Sequence, residues 1–371
     1  MNNEKNVAIV TIWDEKNYGN RLQNYATQQI LISFGCNPIS IKNSPPPKKR
    51  KAVIELLNFP KRILRKILYR DSIEERKRLF NKRKMNFKSW NDKYIAFSSF
   101  VIKEEDIFSS SLQSYDYFVV GSDQVWNPYF RRCFSLDFLT FAPKSRRVAY
   151  AASFGLPELP ESVSQFYKER LEEFNTISVR EESGAKIVHH LIGKDVPVLM
   201  DPTLMLTEDD WRSIAIFPNI PKQPLLVTYF LGNQDDSICS FISHHPILDS
   251  YQRIDLNSYQ DKERFTIDPS EFLGYLCSAD VVITDSFHGV IFSIIFRKPF
   301  VVLERQSNGF SMNTRIETLL KMFKLEDRFI TKSGVFTADL LNIDFSYVES
   351  VIESEKAKAI EFLKASLNYD I

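Results

Sequence analysis

Glycine is scarce in this chain, with 11 in 371 residues, and no G-x-G-x-x-G or G-x-x-x-x-G-K-[ST] run is present, which leaves out the dinucleotide fingerprint and the P-loop. Cysteine is scarcer. Cys36, Cys133, Cys239 and Cys277 are scattered with no C-x-x-C pair, so neither a disulfide framework nor a zinc site is expected, and the thiols read as buried groups in a reducing compartment. Long apolar runs are also missing. Stretches such as 290–296 are far too short to span a bilayer, and the polar opening residues 1–6 lack the apolar region of a signal peptide. A cytoplasmic location is the expectation. Neither charge sign is in excess, the formal net charge being +1, so no global field favours nucleic acid. His189-His190 and His244-His245 have no carboxylate at metal-ligand spacing, and no Ser-His-Asp or Cys-His set stands out. No metal or cofactor is called for.

What the chain does have is apolar mass: 44% of it is hydrophobic and 13% aromatic, a composition for packed cores, and its length favours two of them. The unbroken apolar run at 7–13 predicts a strand buried on both faces of a parallel sheet. Leu22, Tyr25, Ala26, Gln29 and Ile30 then keep helical spacing over 21–33, with Gly35 placed to stop the helix. Further strands are predicted at 117–120, 148–152, 176–179 and 196–200, with a helix at 182–191. A second series follows Pro218, Pro221 and Pro224, where the hinge is expected: strands at 225–232, 251–256, 280–284 and 300–303, helices at 272–279 and 287–296, and a final amphipathic helix at 353–367. This alternation predicts an α/β protein of two Rossmann-like domains in tandem, 1–210 and 220–350, followed by a C-terminal helical piece, 351–371.

One segment of the first domain, about 43–95, differs in kind and reads as a basic helical insertion. It opens on Pro45-Pro46-Pro47, a stiff spacer, and from Lys48 to Lys88 carries 16 Lys/Arg against 4 Asp/Glu. That is a local charge of +12, leaving −11 for the remainder. Ile63, Leu64, Ile67 and Leu68 share one helical face beside a wholly basic one. Such a helix is either a lid with solvated charges or a surface that lies on the anionic inner face of the membrane.

In open α/β sheets ligands bind beyond the carboxyl ends of the strands, and four polar clusters fall at such ends. In the first, Gly19, Asn20, Arg21 and Gln23 open a helix, where free N–H groups and close backbone approach suit an anion; the plain alternative is a turn and a cap. In the second, Ser122, Asp123, Gln124, Trp126 and Asn127 crowd a strand end, with carboxylate and amides for sugar hydroxyls and an indole for a sugar face; the alternative is an Asx turn with Trp126 in the core. In the third, Arg180 can grip a carboxylate or phosphate, or else pair structurally with Glu181 or Asp201. The Asp201-Pro202-Thr203 turn reads as architectural. In the fourth, Asp285, Ser286, His288 and Gly289 form a strand–turn–helix in which His288 either moves a proton or simply packs.

Taken in order, the segments NYGNRLQNYATQ, YDYFVVGSDQVWNP, SVREESGAKIV, DPTLML, ITDSFHGVIFSIIFRKPFVVL and NTRIETLL resemble the polysaccharide pyruvyl transferase family, from about Val7 to Leu320. The resemblance implies a glycosyltransferase-B-like fold. It also implies transfer of pyruvate from a phosphoenolpyruvate donor to a sugar acceptor as a cyclic ketal, a modification that adds negative charge to bacterial surface glycans. In relatives an Arg-Leu-His triplet at the fourth cluster and an arginine from the third bind phosphoenolpyruvate. Here the matching positions give His288 and Arg180, while Ser286 stands where the triplet has arginine; Arg315 or Arg21 can supply the missing charge. The resemblance thus implies His288 as acid or phosphate partner, Asp123 as base or hydroxyl anchor, and Arg180 with the Gly19-Asn20 turn for the anions. The basic segment fits a lipid-linked acceptor. Two other readings share this shape: a nucleotide-sugar-dependent glycosyltransferase, and a non-catalytic glycan-binding protein.

Overall fold

The computed structural model describes residues 4–369 apart from 15, 44–69, 104–111, 132–133, 220–221, 233–240, 242–244, 306–312, 332–338 and 340. The proline spacer, the Ile63–Leu68 face, Pro221, His244, Cys133 and Cys239 lie outside the described residues. Two wholly parallel sheets follow one another along the chain. The first comprises β1 (Lys5–Val10), β2 (Cys36–Asn43), β3 (Phe97–Ile102), β4 (Tyr117–Val120), β5 (Arg147–Ala152) and β6 (Thr176–Val179), in the spatial order β3-β2-β1-β4-β5-β6. The second comprises β7 (Leu225–Tyr229), β8 (Gln252–Asp255), β9 (Val281–Thr284), β10 (Phe300–Leu303) and β11 (Phe329–Ile330), in the order β11-β10-β9-β7-β8. This is the tandem Rossmann-like, glycosyltransferase-B-like architecture expected. In each sheet the winding reverses once, between β1 and β4 and between β7 and β9, and the crevice beyond such a reversal is where ligands bind.

The helices used below are α1 (Tyr18–Ser33), α2 (Arg70–Tyr94), α3 (Glu161–Leu171), α4 (Glu182–Ile192), α5 (Glu208–Ile214), α6 (Pro269–Ser278), α7 (Phe287–Ile295), α8 (Thr314–Met322) and α9 (Val348–Ser366). None is long and apolar enough to cross a membrane. Three expectations are corrected. The first strand ends at Val10, because Thr11 bonds through its hydroxyl to the Ser122 carbonyl and Ile12 and Trp13 turn out to a cavity rim. Residues 196–200 form no strand: Pro197 leaves one bridge, Val179 to Val198. β2 and β3 were not foreseen, since Pro38 inside β2 masks a strand that nonetheless pairs with β1. The described part of the basic segment, α2, is accordingly the crossover between β2 and β3.

The two sheets share one core. Its buried residues run from Val7, Ile9 and Leu22 through Trp211 to Val227, Phe272 and Phe292. At the junction Tyr18 of α1 stacks on Phe272 of α6, ring centroids 4.3 Å apart and 9° from parallel, and its hydroxyl donates to the Ile267 carbonyl at 3.2 Å. Burial of two such rings is worth several kcal/mol. α2 adds a strap: Trp90 Nε1 donates to Ser270 Oγ at 2.9 Å and Asn86 Nδ2 to the Thr266 carbonyl at 2.7 Å. α9 returns from the second sheet to the first, where Ser366 meets Thr176 at 2.9 Å and Lys5 Nζ caps the Leu367 carbonyl at 2.6 Å.

Gly274 in α6 marks the tightest of these junctions, since a β-carbon there would lie 1.9 Å from the Ile216 carbonyl oxygen. Backbone cannot retreat as a side chain can. Gly274→Ala is therefore expected to destabilise the protein by about 3 kcal/mol, read as a fall of several degrees in Tm by circular dichroism.

Candidate functional site

At the first reversal, Thr11 leaves the ladder and α1 begins at an Asn17 cap. Gln23 Nε2 donates to Thr11 Oγ1 at 2.7 Å and Arg21 Nη2 to the Ile12 carbonyl at 2.5 Å, so both side chains hold the connecting loop. Beyond β4, Asp123 adopts a left-handed backbone, φ 80°, while its carbonyl accepts from Ser153 and Val125. For a non-glycine residue that conformation costs on the order of 1–3 kcal/mol, and the surrounding hydrogen bonds sustain it. Its carboxylate accepts from Asn20 Nδ2 and from the Gln124 N–H. At the second reversal, Ser286 caps α7, and the absent β-carbon of Gly289 lets the helix lie on Thr284. The Asp285 carboxylate accepts from the N–H groups of Leu231 and Gly232 at 2.7 and 2.8 Å and from Arg305 Nε at 3.1 Å.

Both crevices open on a single cavity of about 460 Å³. The first sheet contributes Asp14, Asn17, Asn20, Asp123 and Gln124; the second contributes Ser286, Phe287, His288, Arg305 and Arg315. The sides meet at Gly19, where a β-carbon would come within 2.0 Å of His288 Nδ1. Behind them runs a buried web of charge. Arg180 donates to Asp201 Oδ2 at 2.6 Å and to Ser122 Oγ at 3.1 Å, and sits 3.6 Å from Asp123 Oδ1. His288 Nε2 lies 3.8 Å from Asp201 Oδ2 and finds no hydrogen-bond partner among the described residues. Arg180 and Arg315 flank the Phe287 ring at 4.3 and 5.5 Å. With its amide oxygen turned to Arg315, Gln124 accepts from Nε at 2.9 Å.

Burial opposes charge on every member of this web, and the neighbours decide the outcome. For Asp201, burial pushes the carboxyl up, but Arg180 and then His288 prevail and hold it at about 2. Asp123 likewise falls below its usual value against burial, through Arg180, His288 and Arg315, and is ionised at neutral pH. Burial lowers His288, and the two aspartates do not restore it, so the imidazole is neutral. Arg315 is lowered to about 9 by burial and by Arg180. A buried guanidinium in that state is stabilised by an incoming anion.

The profile of the polysaccharide pyruvyl transferase family matches residues 17–307, over three quarters of the chain. The chain belongs to this family. Among curated proteins none matches the sequence. Solved structures of similar shape include a UDP-GlcNAc 2-epimerase from Neisseria meningitidis bound to UDP-GlcNAc, 11% identical over 96% of this chain and 99% of that one, TM-score 0.43. Others are a putative UDP-N-acetylglucosamine 2-epimerase from Listeria monocytogenes (9%, 98% and 89%, 0.47) and the ADP-heptose heptosyltransferase II of E. coli (11%, 98% and 98%, 0.35).

In this pyruvyl transferase family member the cavity gathers six of the expected residues: Asn20, Asp123, Gln124, Ser286, His288 and Arg315. Gly19, Ser122, Arg180 and Gly289 stand immediately behind its wall. Arg21 and Gln23 face the loop instead. Trp126 is a correction: it is fully buried, stacked on Phe138 and donating to the Asp137 carbonyl, because the chain turns inward after Asp123. Asn127 caps the turn at Tyr129. Arg180 takes the structural alternative, pairing with Asp201 and not with Glu181, whose carboxylate accepts the Phe154 and Gly155 N–H groups. One residue was missed: Arg305 reaches the cavity from just beyond β10. Asp201, expected as one possible partner of Arg180 in a turn read as architectural, both caps that turn and serves as the buried counter-ion.

Asp201→Asn is expected to cost about 3 kcal/mol at pH 7, since it strands the Arg180 charge in the interior. The wild-type carboxyl sits below its unfolded value, so its stabilisation is complete above about pH 4 and lost as pH falls toward 2. Urea unfolding across that range should show the two proteins converging at the acid end.

Proposed function

We propose that the protein transfers pyruvate from phosphoenolpyruvate to two hydroxyls of one sugar in a surface-polysaccharide precursor, closing a cyclic ketal. Family membership supports the reaction class. The observation that carries the reading is the pairing, in one cavity, of two guanidiniums with an unpaired imidazole and an ionised carboxylate. Arg315 supplies a positive charge beside Ser286, so the charge lost at position 286 is offset from elsewhere in the same wall, while Arg305 stands there paired with Asp285. With the first turns of α1 and α7 they suit a donor bearing both a carboxylate and a phosphate.

The chemistry then divides among these residues. The donor anion offsets Arg315, one of the charges that lower the proton affinity of His288, and the imidazole takes up a proton on binding. His288 delivers that proton to the methylene carbon of the enol, making a methyl group and an electrophilic C2. Asp123 accepts the proton of the first sugar hydroxyl as its oxygen bonds to C2. The C–O bond to phosphate then breaks, the second hydroxyl adds to C2, and its proton leaves with the phosphate. One ketal and one inorganic phosphate result.

The test is phosphate release from phosphoenolpyruvate with a panel of lipid-linked sugars. Acceptor-dependent release is expected for the wild type, reduced by about 10²–10⁴-fold in His288→Ala. No release with any acceptor, together with thermal stabilisation by a nucleotide sugar, would instead favour glycosyl transfer.

The acceptor in this reading is carried on a lipid at the cytoplasmic face of the membrane. Support comes from α2, whose outer side exposes Lys77, Arg78, Lys82, Lys84 and Lys88, continuing the basic sequence before it. Cosedimentation with vesicles rich in anionic lipid is expected, and reversing the charge of Lys77, Arg78, Lys82 and Lys84 should abolish most of it. Equal cosedimentation of that variant would sink the membrane contact.

A further inference from the structure

A second, smaller cavity of about 280 Å³ adjoins the first and shares three residues with it, Asp14, Asn17 and Leu231. Its far wall is made by Phe80 of α2 together with Tyr259 and Asn257 from the segment after β8. Nothing in the transfer chemistry uses it.

The wall is built from both halves of the molecule. Arg83 of α2 is buried and donates to the Lys16 carbonyl at 2.6 Å, to Asn257 Oδ1 at 3.0 Å and to the Phe265 carbonyl at 3.1 Å. Tyr259 is held between Phe265, 4.4 Å away, and the Arg76 guanidinium at 4.3 Å. Phe80 meets both rings edge to face, at 5.4 Å from Tyr259 and 5.3 Å from Phe265. Of the charged groups around the space Asp14 and Lys16 are opposite in sign, and Arg83 gives N–H groups to three neutral oxygens while keeping its positive charge. A pocket with aromatic walls and with amide, carboxylate and cationic groups able to hydrogen-bond hydroxyls suits a hydroxyl-rich ring, and its volume admits one such ring.

We propose that this pocket binds the sugar residue next to the one being modified, so that the acceptor is recognised as a disaccharide at least. The inference rests on the transferase reading for the identity of the first cavity's occupant. Phe80 and Tyr259 are then specificity residues, reached only by an acceptor long enough to extend past Asp14 and Asn17.

The experiment compares methyl glycosides of glucose, galactose, mannose and N-acetylglucosamine with their β1,4-linked disaccharides. Phosphate release and saturation-transfer NMR are measured on the full chain. In the wild type the best disaccharide should exceed its monosaccharide by about tenfold or more in kcat/KM, and that ratio should fall to near unity in Phe80→Ala and Tyr259→Ala. Tyr259→Phe, which keeps the ring, should retain it. A ratio unchanged in both alanine variants, or absent from the wild type, overturns the proposal. Should no probe release phosphate, the transferase reading fails by itself, and NMR then decides the pocket. Saturation of the second ring's protons, lost in Tyr259→Ala, upholds it, and no saturation in the wild type overturns it.

Discussion

The imidazole of His288 occupies the space that a β-carbon on Gly19 would fill, and the geometry of the cavity follows from that contact. Gly19 lies in the first turn of α1 and His288 in the first turn of α7, so two helix N-termini from different sheets are brought together at one place. Any side chain at position 19 would separate them. The stacking of Tyr18 on Phe272, one residue earlier, fixes the same approach from the core side, with apolar burial in place of steric fit.

Around that contact the interior holds an unusual density of charge. Arg180, Asp201, Asp123, His288 and Arg315 are all nearly inaccessible to solvent, and each sets the protonation of the next. Arg180 neutralises Asp201 directly, which leaves His288 beside an aspartate whose charge is already engaged. Burial first, and then the Arg180 and Arg315 charges, keep the histidine neutral although two carboxylates stand near it. A site arranged this way responds to an arriving anion through its protons as well as its contacts.

Much of this was legible along the chain. The clusters after β1, β4 and β9 declared themselves because a strand end, a polar turn and a helix start are contiguous in sequence, and the fold brings such turns together at its two winding reversals. What was not legible depends on partners far away. Arg180 read as either an anion grip or one half of an ion pair with Glu181 or Asp201, and only the fold selects Asp201, 21 residues on in a turn that reads as architecture. Trp126 looked like a sugar platform until Phe138 and Asp137 were seen to enclose it. Arg305 follows a strand without any turn signature, and only the loop at Leu231 and Gly232, far back in the chain, aligns Asp285 to hold it. α2 carried a clear charge pattern on its outer side; its inner side, with Phe80 and Arg83, acquires meaning only from β8 and the segment beyond it.

The chain passes between its two halves more than once, through α5 toward β7 and back along α9. Arg297 bridges the two passages, donating to Glu208 at 2.7 Å and to Glu349 at 2.8 Å. A body joined to another by a single tether can swing, twist and slide. With two tethers pinned side by side, twisting and sliding strain one connection against the other, and the core common to both sheets resists the swing that tethers alone would leave. The width of the cavity mouth is thus set by two connections and a common core acting together, rather than by anything that binds inside.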